Sequence, residues 1–249
     1  NGAEIPAFDA NSNQVFTVAG DVIEKFSISN QGTLSLIGSV SQGFTTPAGY
    51  AAIPNSVAIK NGILAASFAI RNVTTGAQDS GIVAFYQSVD ASFIRSIKVG
   101  YLPDMVTFSP DGNYVLTANE GEPNSYGQST SFDPEGSISI IDISSGIQSA
   151  TLYTAGFTSF NGQISALRAA GVRIFGPNAT VAQDLEPEYI AFSNNGQTAM
   201  ITLQENNALA KLDMATKTIT QILPLGLKNH NTAGNGLDAS DRDSTTSLG

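Results

Sequence analysis

One ten-residue motif occurs twice in this 249-residue chain, 84 positions apart and without a gap. Residues 103–112 read PDMVTFSPDG, and residues 187–196 read PEYIAFSNNG. Each copy has an acidic residue after a proline, then an alternating apolar stretch, then a turn that ends in glycine. A shorter relative, PNSVAIKNG, covers residues 54–62, and a weaker one, EIPAFDANS, covers residues 4–12. Recurrence of this kind predicts a fold built from repeated units.

Each copy of the phrase is followed by three further alternating stretches rich in Val, Ile, Thr and Phe, which predict strands. The predicted second strands are 14–19, 63–69, 114–119 and 198–204; the third are 22–27, 81–86, 137–141 and 208–212; the fourth are 34–40, 93–99, 147–153 and 218–223. Four strands joined by hairpins in units of about 40–45 residues are typical of propeller blades. A two-sheet sandwich is the alternative, but it does not predict the same four-strand phrase four times.

We therefore predict an all-β chain, a β-propeller with about four blades of four antiparallel strands over residues 1–53, 54–102, 103–186 and 187–227. Insertions at 121–136 and 154–184 interrupt the four-strand repeat, and the second contains a predicted short helix over 164–170. Residues 228–249 are polar and predict a loop or tail that could lead into further blades. Nothing indicates a strand exchanged between the first and last blades, so we expect part of a larger propeller of about seven blades.

The composition excludes several classes of function. The formal net charge is −10 and the 11 basic residues are scattered, which argues against nucleic-acid binding. There is no cysteine, so disulfides, thiol nucleophiles and cysteine-held metals are excluded. No apolar run reaches the roughly 18 residues of a membrane span. His230 is the sole histidine and has no nucleophile motif near it, so we predict a surface residue rather than a catalytic one.

Several longer motifs resemble the choice-of-anchor I domain family. They are LPDM at 102–105 followed by ANEGEP at 118–123, DLEPEY at 184–189, LQENNA at 203–208 and LDASDRD at 237–243. The family consists of secreted or surface β-propeller proteins, similar to the extracellular region of the mesenchyme-specific cell surface glycoprotein, and some members carry an alkaline phosphatase label. The resemblance implies an extracellular, secreted or cell-surface location. Family members are longer, with further blades after the last motif.

The repeat geometry places several acids together. The first and second strands of a unit are antiparallel, so the start of one and the end of the other lie on the same rim. Converging carboxylates repel one another unless cations, arginines or raised pKa values intervene, and their hard oxygens suit Ca²⁺ or Mg²⁺. We predict a metal site on this rim, although such acids could instead point into water or cap turns. The candidate ligands are Asp104, Glu120, Glu122, Glu186, Glu188 and Glu205.

Other polar groups carry weaker hypotheses. Arg168 and Arg173 flank the predicted helix and could bind an anion if the second insertion covers the rim, but a solvated helix face is the simpler interpretation. Residues 133–136 could fold back over the rim or form an ordinary turn. The acids Asp238, Asp241 and Asp243 are spaced loosely like a calcium loop, but a solvated tail is the simpler interpretation.

Two functions remain open from the sequence. One is a noncatalytic surface or matrix module, a propeller with a metal-binding rim that binds a partner or assembles with itself. The other is an extracellular metal-dependent phosphoesterase, in which Ca²⁺ or a similar ion polarises a phosphoester and activates water. The shortage of basic residues to hold phosphate weighs against the enzyme.

Overall fold

The computed structural model describes residues 4–236, and its strands form four separate four-stranded antiparallel sheets. Strands adjacent in each sheet are adjacent in sequence, as in a run of hairpins. The prediction of four units of four antiparallel strands is therefore confirmed. We number the sheets as blades 1 to 4 in chain order.

The strand bounds follow the alternating patterns closely. Blade 1 contains β1 (Glu4–Asp9), β2 (Gln14–Ala19), β3 (Val22–Ile28) and β4 (Leu34–Ser39). Blade 2 contains β5 (Tyr50–Lys60), β6 (Ile63–Asn72), β7 (Gln78–Gln87) and β8 (Phe93–Tyr101). Blade 3 contains β9 (Pro103–Phe108), β10 (Tyr114–Asn119), β11 (Ser137–Asp142) and β12 (Thr151–Gly156). Blade 4 contains β13 (Ile190–Phe192), β14 (Thr198–Leu203), β15 (Ala208–Asp213) and β16 (Thr218–Pro224).

The fourth strand of blade 3 differs from the sequence prediction. It was expected from Ile147, but Ile147–Ser149 forms a short 3-10 helix and β12 starts only at Thr151. Gly146 enters this helix at a φ of 91°, and Arg95 of blade 2 donates hydrogen bonds to the carbonyls of Ile147 and Gln148. These contacts hold the segment in a turn, so the apolar Ile147 was misread as part of a strand.

The first strand of every blade carries the same irregularity at the same position of the repeat. Its pairing with the second strand skips Ile5 in blade 1, Asn55 in blade 2 and Asp104 in blade 3. In blade 4, the N–H of Glu188 donates to the Thr202 carbonyl, while the Thr202 N–H donates to the carbonyl of the next residue. A β-bulge of this kind bends a strand and re-aims the extra side chain. It also explains why β13 is shorter than the repeat phrase predicted.

The cores lie between successive blades, where two sheets pack face to face. Phe16 of blade 1 joins Leu64 of blade 2 in one cluster, and Phe85 of blade 2 joins Val115 of blade 3 in the next. A larger cluster unites blades 3 and 4 with the second insertion. The first strands of blades 1–3 and Tyr189 line a central cavity of about 260 Å³, so all four blades converge on one channel.

The two insertions meet above blades 3 and 4. The first, residues 121–136, is held together by Asn124, whose Oδ1 accepts from the Phe132 N–H at 2.7 Å. The second contains a 3-10 helix at Thr158–Gln163, α1 (Ile164–Ala169) and α2 (Val181–Asp184), and α1 confirms the predicted helix. Gly136 donates its N–H to the Ala182 carbonyl at 2.9 Å, which joins the insertions. Within residues 4–236, no helix has the length and apolar character that a membrane crossing requires.

Candidate functional site

The acidic rim is the end of the channel where first strands begin and second strands end in blades 3 and 4. In blade 3, Asn119 pairs with Pro103, and the Glu120 N–H donates to the Leu102 carbonyl at 2.9 Å. This register brings Glu120 beside Asp104, which is the bulged residue of β9. Glu122 follows at the start of the first insertion and is exposed.

In blade 4 the equivalent segment brings three glutamates together. Glu188 is the bulged residue, and its carboxyl lies beside that of Glu205. Oε2 of Glu205 is buried and receives no hydrogen bond from any N–H or hydroxyl of residues 4–236. Glu186 is only 6% exposed, and its carboxylate has no ion-pair partner among the described residues. The structure thus brings all six predicted acids to one rim.

Asn206 holds the backbone of this acidic segment. It is fully buried, and its Nδ2 donates to the carbonyls of Arg173 at 2.9 Å and Asp184 at 2.6 Å. Its Oδ1 accepts from the Glu186 N–H at 3.1 Å. Asp184 is itself buried and accepts from the N–H groups of Phe175 and Gly176. The chain around Glu186 is therefore fixed by a satisfied polar network, while the Glu186 carboxylate is left without a compensating charge.

Burial and mutual repulsion dominate the electrostatics of the rim. Burial, followed by the charges of Asp104, Glu122, Glu186 and Glu188, raises the pKa of Glu120 to about 8. Burial, followed by the charges of Glu205, Glu122, Asp184 and Asp133, raises the pKa of Glu186 to about 7. The pKa of Glu188 is raised by burial, by its hydrogen bond with Glu205 and by neighbouring carboxylates. Burial and Glu4 raise the pKa of Asp104. At neutral pH the rim therefore holds protons or cations more readily than ordinary carboxylates do.

The carboxylate oxygens suit a hard cation, but the side chains are not grouped closely enough to coordinate one. Carboxylate oxygens are the ligands that Ca²⁺ and Mg²⁺ prefer. Across residues 4–236, no group of three His, Cys, Asp or Glu side chains is arranged to hold a metal ion. A cation bound here would require the carboxylates to rotate inward from fixed backbone positions. The bulge in each first strand and the Asn206 network supply that fixed backbone.

A family model for the choice-of-anchor I domain matches residues 4–249. The chain belongs to the choice-of-anchor I domain family. The predicted resemblance is thereby confirmed. No curated protein matches this choice-of-anchor I domain.

Solved structures similar to this choice-of-anchor I domain establish its fold as a β-propeller. The Cps50 (Swd1) β-propeller domain of Myceliophteria thermophila aligns with a TM-score of 0.54 at 10% identity, over 90% of this chain and 55% of that one. A putative TolB from Agrobacterium tumefaciens aligns with a TM-score of 0.50 at 13% identity, over 91% and 62% of the two chains. Hydrazine synthase of Kuenenia stuttgartiensis aligns with a TM-score of 0.51 at 12% identity, over 90% and 75%. The domain thus spans only 55–62% of the first two propellers.

The two candidate anion-binding arginines of this choice-of-anchor I domain are engaged locally. Arg168 donates through Nε to the Ile174 carbonyl at 2.8 Å. The guanidinium carbon of Arg173 lies 5.3 Å from the centre of the Phe175 ring. Neither forms an ion pair with a rim carboxylate in the described part of the chain, where Lys98 and Asp79 make the one ion pair. The acids Asp238, Asp241 and Asp243 lie outside the described residues.

Sequence reasoning missed several members of the site. The insertions bring Asp184 and Asp133 close enough for their charges to raise the pKa of Glu186, and burial followed by the charge of Glu186 raises the pKa of Tyr126. The turn at 133–136, named above as a possible cover of the rim, packs against the second insertion, where Gln183 Nε2 donates to the Asp133 carbonyl at 3.0 Å. Glu4 joins Asn55 and Asp104 around a second cavity of about 440 Å³ at the same rim. The weak first copy of the repeat was the one sequence signal that could have identified Glu4.

Proposed function

We propose that this domain is a noncatalytic surface or matrix module, secreted or displayed at the cell surface, whose acidic rim binds Ca²⁺ or Mg²⁺. One observation supports this most strongly. Carboxylates from two blades and an insertion converge with pKa values raised to about 7 and 8, and none of them has an ion-pair partner in residues 4–236. Such a cluster destabilises the fold when ionised, and a divalent cation removes that cost while linking the blades.

The residues that would hold the cation are Glu186, Glu188 and Glu205 of blade 4 together with Glu120 of blade 3. The charges of Asp104 and Glu122 act on Glu120 and add to the negative field of this group. The bound ion would supply charge neutralisation and a crosslink between neighbouring blades. Rigid propeller faces offer broad surfaces for partners, so a cation that stiffens one face favours a binding role.

We further propose that the four blades belong to a ring with more members. The similar propellers are longer than this chain, which spans 55–62% of two of them. About seven blades is the number expected from the sequence. A secreted location rests on the family membership and remains part of this proposal.

The phosphoesterase alternative has weaker support. A cation on the rim could polarise a phosphoester and activate water. Phosphate transfer, however, is stabilised by Arg or Lys at the developing charge. Both candidate arginines are engaged away from the rim carboxylates. Turnover of p-nitrophenyl phosphate, with and without a chelator, separates the two functions.

Calorimetric titration of chelator-treated protein with CaCl₂ and MgCl₂ at pH 8 tests the cation site. We expect saturable binding, a higher melting temperature with the ion, and no phosphoester turnover. Glu186→Gln should weaken binding by about tenfold or more, equivalent to ~1.4 kcal/mol. Glu24→Gln, on β3 of blade 1, is the matched control and should bind normally. Absence of binding by either ion in the wild-type protein would contradict the proposal.

A further inference from the structure

A cavity of about 330 Å³ lies where the end of blade 2 meets blade 3, and we call it the blade 2–3 cavity. Blade 2 contributes Gly100 and Tyr101 at the end of β8, and blade 3 contributes Ser137 of β11 with Thr154 and Gly156 of β12. Four residues between 132 and 136 of the first insertion form the remaining wall. Two neighbouring blades and their own insertion thus enclose the cavity, so blades outside residues 4–236 are not needed to form it.

A buried hydrogen-bond network supports two of the lining residues. Asn119 is 0% exposed, and its Nδ2 donates to the hydroxyls of Ser137 at 3.1 Å and Ser139 at 2.9 Å. The Ser139 hydroxyl also accepts from the Gly100 N–H at 3.4 Å, which ties β8 of blade 2 to β11 of blade 3. The two sides of the cavity are therefore fixed relative to each other, and such preorganisation reduces the entropic cost of binding.

Gly156 keeps the cavity open on the blade 3 side. A Cβ at Gly100 would collide with Asn119, so packing explains the glycine there. A Cβ at Gly156, in contrast, would have no heavy atom within 4 Å, and its φ is not in the left-handed region. Because Thr154 and Gly156 lie two positions apart on β12, a side chain at 156 would point to the same face as Thr154, into the cavity. Neither packing nor backbone geometry requires glycine at 156, whereas an open cavity does.

Two aromatic rings form a corner in the wall. The ring centroids of Tyr101 and Phe132 are 5.2 Å apart, and the ring planes are inclined by 63°. Since both residues line the cavity, a ligand inside it meets aromatic carbon from two directions. Phe132 is 41% exposed, so part of its ring is free to contact a ligand. The hydrogen bond from its N–H to Asn124 fixes the backbone of this wall.

The charge around the cavity is negative. Among the described residues that line it, Glu135 alone is charged. Glu135 has no ion-pair partner within residues 4–236, where Lys98 and Asp79 make the one ion pair. The acidic rim adjoins the cavity, because the Gly121 N–H, next to Glu120, donates to the Tyr101 carbonyl at 3.2 Å. A cation gains from both the aromatic rings and the carboxylates, whereas an anion is repelled.

We propose that the blade 2–3 cavity binds a quaternary ammonium group. Aromatic rings and a carboxylate attract this cation, and its methyl groups match an apolar wall. A primary ammonium donates three hydrogen bonds and a calcium ion takes six to eight oxygen ligands, which one carboxylate in an aromatic and glycine-lined wall does not supply. The cavity shares no lining residue with the six rim acids, so this site is separate from the proposed cation site.

Titration of chelator-treated protein with choline chloride, followed by saturation-transfer difference NMR, tests the site. We expect saturable binding of choline. The neutral analogue 3,3-dimethyl-1-butanol, in which carbon replaces the quaternary nitrogen, should bind about tenfold more weakly or less. Because divalent ions are removed, the result does not depend on cation binding at the rim.

Three variants test the walls. Phe132→Leu keeps an apolar side chain but removes the ring, and Glu135→Gln removes the charge, so each should weaken choline binding by about tenfold. Gly156→Val fills the cavity without removing a contact, so choline binding should be lost. Valine favours strands, so the melting temperature of this variant should not fall. Phe175→Leu alters an exposed ring of the second insertion and is the control, with unchanged binding.

Vesicle co-sedimentation separates two sources of the group, free choline and the headgroup of phosphatidylcholine. Binding to phosphatidylcholine vesicles that Gly156→Val abolishes supports the proposal with the lipid headgroup as ligand. Saturable choline binding without vesicle binding supports it with the free amine as ligand. Absence of saturable choline binding, equal binding of the carbon analogue, or choline binding that survives in all three wall variants overturns the proposal.

Discussion

The β-bulge of the first strand carries a neutral residue in blades 1 and 2 and an acidic residue in blades 3 and 4. The bulged residue of the first strand is Ile5 or Asn55 in the first pair of blades and Asp104 or Glu188 in the second pair. In the second pair, glutamates at the end of the second strand and the two insertions surround the bulged acid. The repeat therefore fixes where a side chain emerges, while local sequence decides whether that position is neutral or strongly acidic.

The largest expected effect concerns the network that holds the acidic half in place. Asn206→Ala removes an amide that serves two carbonyls and the Glu186 N–H, leaving several buried polar groups unpaired. We expect a loss of roughly 3 kcal/mol in the free energy of unfolding. Urea denaturation measures it, with the exposed Asn30→Ala in blade 1 as control. A loss no larger than that of the control would show that blade 4 does not depend on this network.

The next effect concerns pH. The raised pKa of Glu186 means that stability is fully present below its ordinary value of 4.5 and is lost as pH rises through about 7. Glu186→Gln should therefore raise the free energy of unfolding at pH 9 by on the order of 1–3 kcal/mol and leave it nearly unchanged at pH 4. Chemical denaturation at both values without divalent ions measures this. An equal change at the two pH values would refute the electrostatic cause.

Exchanging acidic and neutral residues at the β-bulge tests whether this position controls cation binding. Asp104→Asn should weaken Ca²⁺ binding by about tenfold, or ~1.4 kcal/mol, because it removes charge beside Glu120. Asn55→Asp places a new acid in the cavity lined by Glu4 and Asp104 and should strengthen binding by a similar factor. Calorimetric titration compares both with the wild-type protein. If both variants bind like the wild type, the comparison of bulged residues has no functional meaning.

The smallest effect concerns the second insertion. Arg173→Ala removes a cation–aromatic contact with Phe175 at an exposed position, so we expect a loss of about 0.5–1 kcal/mol in stability. Binding of Ca²⁺ and of inorganic phosphate should not change. Titration with each ion checks this. A marked loss of phosphate binding would restore the anion-binding role first predicted for this arginine.

The sequence predicts the periodic parts of the molecule well and the aperiodic parts poorly. The β-type patterns at 14–19 and 114–119 match the bounds of β2 and β10, and most residues of both strands are buried. The pattern fails at Ile147, where a contact from another blade imposes a turn. The six rim acids follow from antiparallel pairing, whereas Asp133 and Tyr126 depend on the path of an insertion that has no period.

Gly136 lies where the two insertions contact each other. A side chain at this position would collide with the carbonyl of Leu185, the residue before Glu186. The first insertion, which belongs to blade 3, therefore constrains the backbone position of Glu186. Among relatives of this domain, changes in the length of either insertion should therefore occur together, and a replacement of the glycine should coincide with loss of the acid that follows Leu185.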